Sequence, residues 1–152
     1  MLNYLRVRVG DEALAEELTA GTFAQAFAKR HQLRNVAAFP GWLFRIAHNE
    51  LAQHFRRRAN RGTTAVDFDF LAALPAPDLE PDEVIARQQQ GQVMLRALLT
   101  LPPREQEILD LKFVAGLSNI QVAEATGLTP SNVGVIVFRA LRKLRTEMQS
   151  ML

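Results

Sequence analysis

Four arginines within six residues, Arg56, Arg57, Arg58 and Arg61, close a stretch that also carries Asn49 and His54. Their chemistry is attraction to phosphate, which guanidinium groups supply as permanently charged forks of donors. Asn49 and His54 add donors and acceptors that suit a splayed base edge or a backbone oxygen. A second stretch sets Ser131 and Asn132 ahead of Arg139, Arg142, Lys143 and Arg145. Short polar groups suit base edges, and the basic run suits phosphates, which fix register and affinity rather than sequence choice. Catalysis finds no footing. His31, His48 and His54 lack the i, i+4 spacing of a helical metal site, cysteine is absent, and no glycine-rich loop is available to cradle a phosphate. Glu16-Glu17 reads more simply as a solvated or protein-binding face than as a catalytic pair. No catalytic residue, metal, cofactor or small-molecule substrate is expected.

These groups need helices to carry them. Helical periodicity runs along the chain and strand alternation is absent. The spacing predicts helices over 2–9, 12–30 and 41–59, then 83–100, 103–114, 118–126 and 130–148. Leu14, Leu18, Phe23, Ala26 and Phe27 make the apolar side of the second. Leu43, Ala47, Leu51 and Phe55, with Ile46 beside them, make that of the third. Its opposite side carries Arg45, Asn49, Ala52 and Arg56, and Trp42 reads as a core residue. Between them, residues 62–82 lose periodicity and hold three prolines, which marks a linker. Phe68, Phe70, Leu71 and Leu74 make it stickier than a plain spacer. The expected fold class is all-α: two small helical domains joined by a flexible linker, over 1–61 and 83–152.

Charge divides the same way. Residues 1–62 hold ten Lys/Arg against five Asp/Glu, residues 63–90 one against six, and residues 91–152 seven against five. Two basic lobes around an acidic strap point to two nucleic-acid contacts and a linker that does not compete for phosphate. At 152 residues and 48% apolar, the chain can fill a helical core. The lack of cysteine fits a reducing cytoplasm. No apolar run approaches a membrane span, and the charged N-terminus has no signal-peptide core. The expectation is a cytoplasmic protein without membrane insertion.

The second lobe carries a specific pattern. Ser118 and Gln121 have capping-box spacing, Gly127 suits a left-handed helix end, and Thr129-Pro130 suits the start of the next helix. Ala123, Gly127 and Val133 stand where a helix-turn-helix needs a close approach, a turn and a packing contact. The second helix of that motif enters the major groove with its N-terminal residues on base edges. Ser131, Asn132, Val135, Phe138 and Arg139 then lie on or near its exposed face, with Arg142 and Lys143 toward phosphates. Val133 and Val137 read as packing residues.

Both lobes together resemble the extracytoplasmic-function sigma factors of bacterial RNA polymerase. AEELTAGTFAQAFAK (Ala15 to Lys29) and FPGWLFRIAHNELAQHFRRR (Phe39 to Arg58) resemble sigma region two. The stretch from Leu99 to Arg145, with Leu101-Pro102, Leu117-Ser118 and Arg139-Ala140, resembles region four. The first segment is thereby implied to dock on core RNA polymerase, with Glu16, Glu17, Thr19 and Thr22 as contacts. The second is implied to read and melt the minus-ten promoter element, with a base-capturing loop near residues 31–39 that offers Arg34, Asn35 and Phe39. The second lobe is implied to bind the minus-thirty-five element, and an anti-sigma factor is a further implied partner. The chain departs from the family in a short first helix, in Ala20 and Gly21 where clamp-contacting polar residues are common, and in Gly134 and Ile136 where many members have Lys or Arg. Against this stand a free-standing helix-turn-helix regulator, which would bind duplex operators alone and dimerise, and a protein adaptor, which would show no salt-dependent DNA affinity.

Overall fold

The computed structural model describes residues 1–59 and 81–151. Arg61 and the linker aromatics lie outside the described residues. Among those described, the elements are α1 (Leu2–Val9), α2 (Glu12–Ala28), two short 3₁₀ turns (Arg30–Gln32 and Val36–Ala38), α3 (Phe39–Ala59), α4 (Pro81–Thr100), α5 (Pro103–Leu109) running into a π turn (Asp110–Val114), α6 (Asn119–Thr126) and α7 (Pro130–Met151), with no strand. The all-α expectation holds.

Local chemistry sets most boundaries. Gly10 ends α1 at φ 64°, and Asp11 caps α2 by accepting from Leu14 N. The capping box at Ser118 forms in full: Gln121 N donates to Ser118 Oγ at 3.2 Å and Ser118 N donates to Gln121 Oε1 at 3.0 Å. Gly127 turns the chain at φ 75°, where a side chain would be strained. Thr129 Oγ1 accepts from Asn132 N at 3.2 Å, which starts α7. The predicted helix over 103–114 is α-helical only to Leu109 and widens into the π turn over its last residues.

On α3, Leu43, Ile46, Ala47 and Leu51 are buried as expected, while Phe55 is partly exposed. The apolar side predicted for α2 holds at Ala26, which is buried, and at Leu14 and Leu18, which pack against the core, but not at Phe23 and Phe27. Phe23 is 48% and Phe27 68% exposed, and the buried side runs through Ala15, Thr22 and Ala26. Alanine and threonine keep α2 close to its neighbours, which leaves no room inside for two phenyl rings. Trp42 is half-buried against the small Ala26, Leu43 and Ile46 cluster, with its ring tilted against Phe39 at 6.2 Å.

The two lobes do not stand apart. One apolar cluster runs from Tyr4, Leu5, Phe44 and Leu51 through Ile108, Leu111 and Val122 to Val133 and Leu144. The pairing of α3 with α6 is the most extensive helix contact among the described residues. Burying apolar surface is the main favourable contribution to such a seam.

Candidate nucleic-acid interface

The buried stripe of α7 is Val133, Val137, Ala140 and Leu144, spaced four, three and four residues apart. That stripe fixes the rotation of the helix, because these residues lock onto α4, α5 and α6. The outer face therefore presents Ser131, Asn132, Val135, Phe138, Arg139 and Arg142 to solvent. Ser131 and Asn132 lie in its first turn, beside the Thr129 cap. Arg139, Arg142, Lys143, Thr146 and Glu147 line a shallow groove farther along. Lys143 is already engaged: its Nζ donates to Glu105 Oε1 at 2.8 Å, across to α5. A phosphate at Lys143 has to compete with that carboxylate, whereas among the described residues no carboxylate forms an ion pair with Arg139 or Arg142. Phe138, 67% exposed, and Val135 form an apolar strip within this face. Such side chains suit thymine methyl groups rather than hydrogen-bonding base edges. At Gly134 a Cβ would meet only Asn119 Nδ2, at 3.6 Å, an ordinary contact.

On the first lobe, α3 holds Asn49, Arg56 and Arg57 outward, and Arg58 is half-buried. Arg56 Nε rests on its own helix backbone at Ala52 O, 3.2 Å away. His54 is half-buried with its ring edge-to-face against Phe55 at 5.7 Å, and its Nε2 is enclosed with no hydrogen-bond partner among the described residues. Burial lowers the His54 pKa, and the positive charge of Arg58 and Arg57 lowers it further against a small opposing effect of Glu17. The neutral imidazole favoured there offers one donor and one acceptor instead of a fourth positive charge.

The loop before α3 exposes Arg34 and Asn35, and leaves Phe39 39% exposed above Trp42. Asn35 has a local duty as well: its Oδ1 accepts from Ala37 N at 3.0 Å and caps the turn at Val36–Ala38. Its amide nitrogen and the second lone pair of Oδ1 remain for a ligand. Periodicity missed the exposed aromatic and aliphatic groups here. Phe23, Phe27 and the 85% exposed Val36 join Phe39 as uncovered apolar groups, and the Arg30 guanidinium lies 4.2 Å from the centre of the Phe27 ring. The pair Phe27-Arg30, three apart on one helix end, was a signal for this.

Of the candidate polymerase contacts, Glu16 and Glu17 are exposed on α2. Thr19 is half-buried and its Oγ1 donates to Ala15 O at 2.7 Å. Thr22 must be withdrawn as a surface contact, since it is wholly buried and packs on the inner side of α2.

A helix-turn-helix with an outward polar and basic face, joined to a second basic helix, defines a helical DNA-binding protein. Comparison with known proteins is in agreement. The family models for Sigma-70 region 2 and Sigma-70, region 4 match residues 1–61 and 91–144. The chain belongs to the sigma-70 family of RNA polymerase sigma factors and groups with its extracytoplasmic-function members. It is 30% identical to the sigma factor BldN of Streptomyces coelicolor, over 93% of this chain but only 53% of BldN, so it spans about half the length of that relative. It is 26% identical to the sigma factor YlaC of Bacillus subtilis, over 97% of this chain and 85% of YlaC. A solved structure of the sigma factor RpoE from Bartonella quintana, in complex with the anti-sigma factor NepR, shares the fold with a TM-score of 0.71 at 23% identity, covering 97% of this chain and 89% of that one. No helix among the described residues is long and apolar enough to cross a membrane.

Proposed function

We propose that this chain directs core RNA polymerase to specific promoters and initiates transcription there, in the cytoplasm, without catalytic activity or a cofactor of its own. The observation that carries the reading is the presence of both sigma regions, in order, on one chain whose helix-turn-helix keeps its reading face outward. Ser131 and Asn132 meet base edges of the minus-thirty-five element, while Arg139 and Arg142 hold phosphates. In the first lobe Arg34, Asn35 and Phe39 border the pocket for a base of the minus-ten element. Asn49 and His54 contact the separated strand, and Arg56, Arg57 and Arg58 draw in its backbone. A base stacked on an aromatic platform such as Phe39 gains ~1–3 kcal/mol, a useful fraction of the cost of unstacking it. Glu16, Glu17 and Thr19 face the polymerase. An anti-sigma factor as a further partner is supported by the complex in which the Bartonella relative was solved.

Co-elution with purified core RNA polymerase tests the partner. A stable one-to-one complex is expected, weakened at least tenfold by Glu16→Lys with Glu17→Lys. Absence of any complex would contradict the reading, and duplex binding by the chain alone as a dimer would favour a free-standing regulator.

A further inference from the structure

The basic run of α7 contains one cation that the fold has already engaged. Lys143 Nζ donates to both carboxylate oxygens of Glu105, at 2.8 Å and 3.0 Å. An ammonium group facing two anionic oxygens is also how a lysine meets a phosphate, as a point charge. The two side chains are unequally placed: that of Lys143 is 51% exposed and that of Glu105 only 17%. Glu105 stands in the first turn of α5, and Ile108 on the same helix is buried in one apolar cluster with Ala140 and Leu144 of α7. Packing of α5 on α7 therefore holds the carboxylate in place, and the lysine is the partner free to move. Lys143 follows Arg139 by four residues, so the two are neighbours on the helix surface. Both line the shallow groove with Arg142, Thr146 and Glu147. Glu147 shares that groove but forms no ion pair among the described residues.

We propose that Glu105 blocks a phosphate site at Lys143 and thereby lowers the affinity of the second lobe for DNA. The inference rests on the reading that this lobe binds duplex DNA. While the pair is closed, the carboxylate takes the place of a phosphate and cancels the lysine charge. An exposed ion pair of this kind is weak on its own, so a phosphate could compete for the lysine. The competition is unequal, because α5 keeps Glu105 beside the incoming phosphate and like charges repel. The pair therefore stays closed on DNA, and Lys143 adds no phosphate contact to those of Arg139 and Arg142. A second lobe kept weak in this way favours sites engaged by both lobes on one scaffold over isolated duplex sites.

Fluorescence anisotropy of the full chain on a labelled random-sequence duplex, from about 50 to about 200 mM salt, tests the block, since phosphate contacts need no particular sequence. Glu105→Gln keeps the size of the side chain and removes its charge. It is expected to tighten binding about three- to tenfold near 0.1 M salt and to steepen the slope of log affinity against log salt by about 0.9, one added phosphate contact. Lys143→Met alone is expected to leave the slope unchanged, and once it is present Glu105→Gln should no longer alter the slope. Glu147→Gln removes the same charge from the same groove without freeing a cation, and is expected to leave the slope as it is. An unchanged slope in Glu105→Gln would overturn the block. So would a loss of about 0.9 on Lys143→Met alone, which would put Lys143 on phosphate already. A steeper slope that survives loss of Lys143, or that Glu147→Gln reproduces, would reduce the effect to general charge and overturn it too. Loss of helical circular dichroism in Glu105→Gln would do the same, since the pair would then serve to hold α5 on α7. Elution from immobilised heparin reads the freed cation with no DNA present: Glu105→Gln is expected to leave at higher salt than Glu147→Gln. If that shift appears while no form of the chain binds duplex in a salt-dependent way, the DNA reading falls and the blocked anion site stands. If the shift is absent, the block itself falls.

Discussion

Asp110 is a carboxylate whose ionisation its surroundings strongly disfavour. Burial raises its pKa to about 6; Arg8 offsets part of that effect, and Glu107 adds to it. The folded chain therefore binds a proton at Asp110 more readily than the unfolded chain does. By linkage, ionised Asp110 costs the fold roughly 3 kcal/mol at neutral pH, and that cost disappears as pH falls through 6 toward 4. Glu107 behaves in the opposite sense. Burial alone would raise its pKa, but the hydrogen bond from His48, the charge of His48 and the Arg8 and Arg104 guanidiniums bring it below the ordinary carboxylate value. Its stabilising contribution is lost only in more acidic solution. His54, with its lowered pKa, loses stability as pH falls below about 6.5. Comparison with Asp110→Asn isolates the Asp110 contribution from these. In urea unfolding, the native chain should gain on the order of 1–3 kcal/mol relative to Asp110→Asn between pH 7 and pH 5. A constant difference across that range would contradict the burial of an ionisable group at this position.

Two elements make separable predictions. On α7, Arg139→Ala and Arg142→Ala should each lower the slope of log affinity against log salt by about 0.9 for duplex DNA carrying the minus-thirty-five element, measured by fluorescence anisotropy. Ser131→Ala with Asn132→Ala should leave that slope alone and flatten discrimination among sequences, at ~1–3 kcal/mol per contacted base. On α3, converting Arg56, Arg57 and Arg58 to Ala should weaken promoter opening and leave second-lobe binding nearly intact. Permanganate reactivity of thymines in the minus-ten region checks this, and unchanged reactivity would exclude a role for the run. The caps and turn of the helix-turn-helix were legible in the sequence because they are local: Ser118, Gln121, Gly127 and Thr129 meet partners three or four residues away. The inner side of α2 was not legible. Phe23 and Phe27 obey helical spacing, and spacing alone cannot tell a ring facing a core from a ring left for a partner.

At the scale of the whole molecule, the fold class and the outward face of α7 followed from composition, periodicity and motif order. The seam did not. Arg8 and Asp110 stand 102 residues apart, and nothing local marks them as partners. Gly41 sits in a helix that, read alone, has no need of glycine, and its reason appears only when α6 is laid against α3. The acidic, proline-bearing stretch between two basic lobes was legible in the sequence, whereas the apolar cluster that joins the lobes was not. The most direct test of the central claim is to combine the purified chain with core RNA polymerase, transcribe fragmented genomic DNA from its host, and map the transcript starts by sequencing. The account predicts new starts, absent with core enzyme alone, that share two upstream motifs at fixed spacing. If the chain binds core polymerase and adds no starts, or the starts share no upstream motif, the claim that it is a promoter-directing subunit is contradicted.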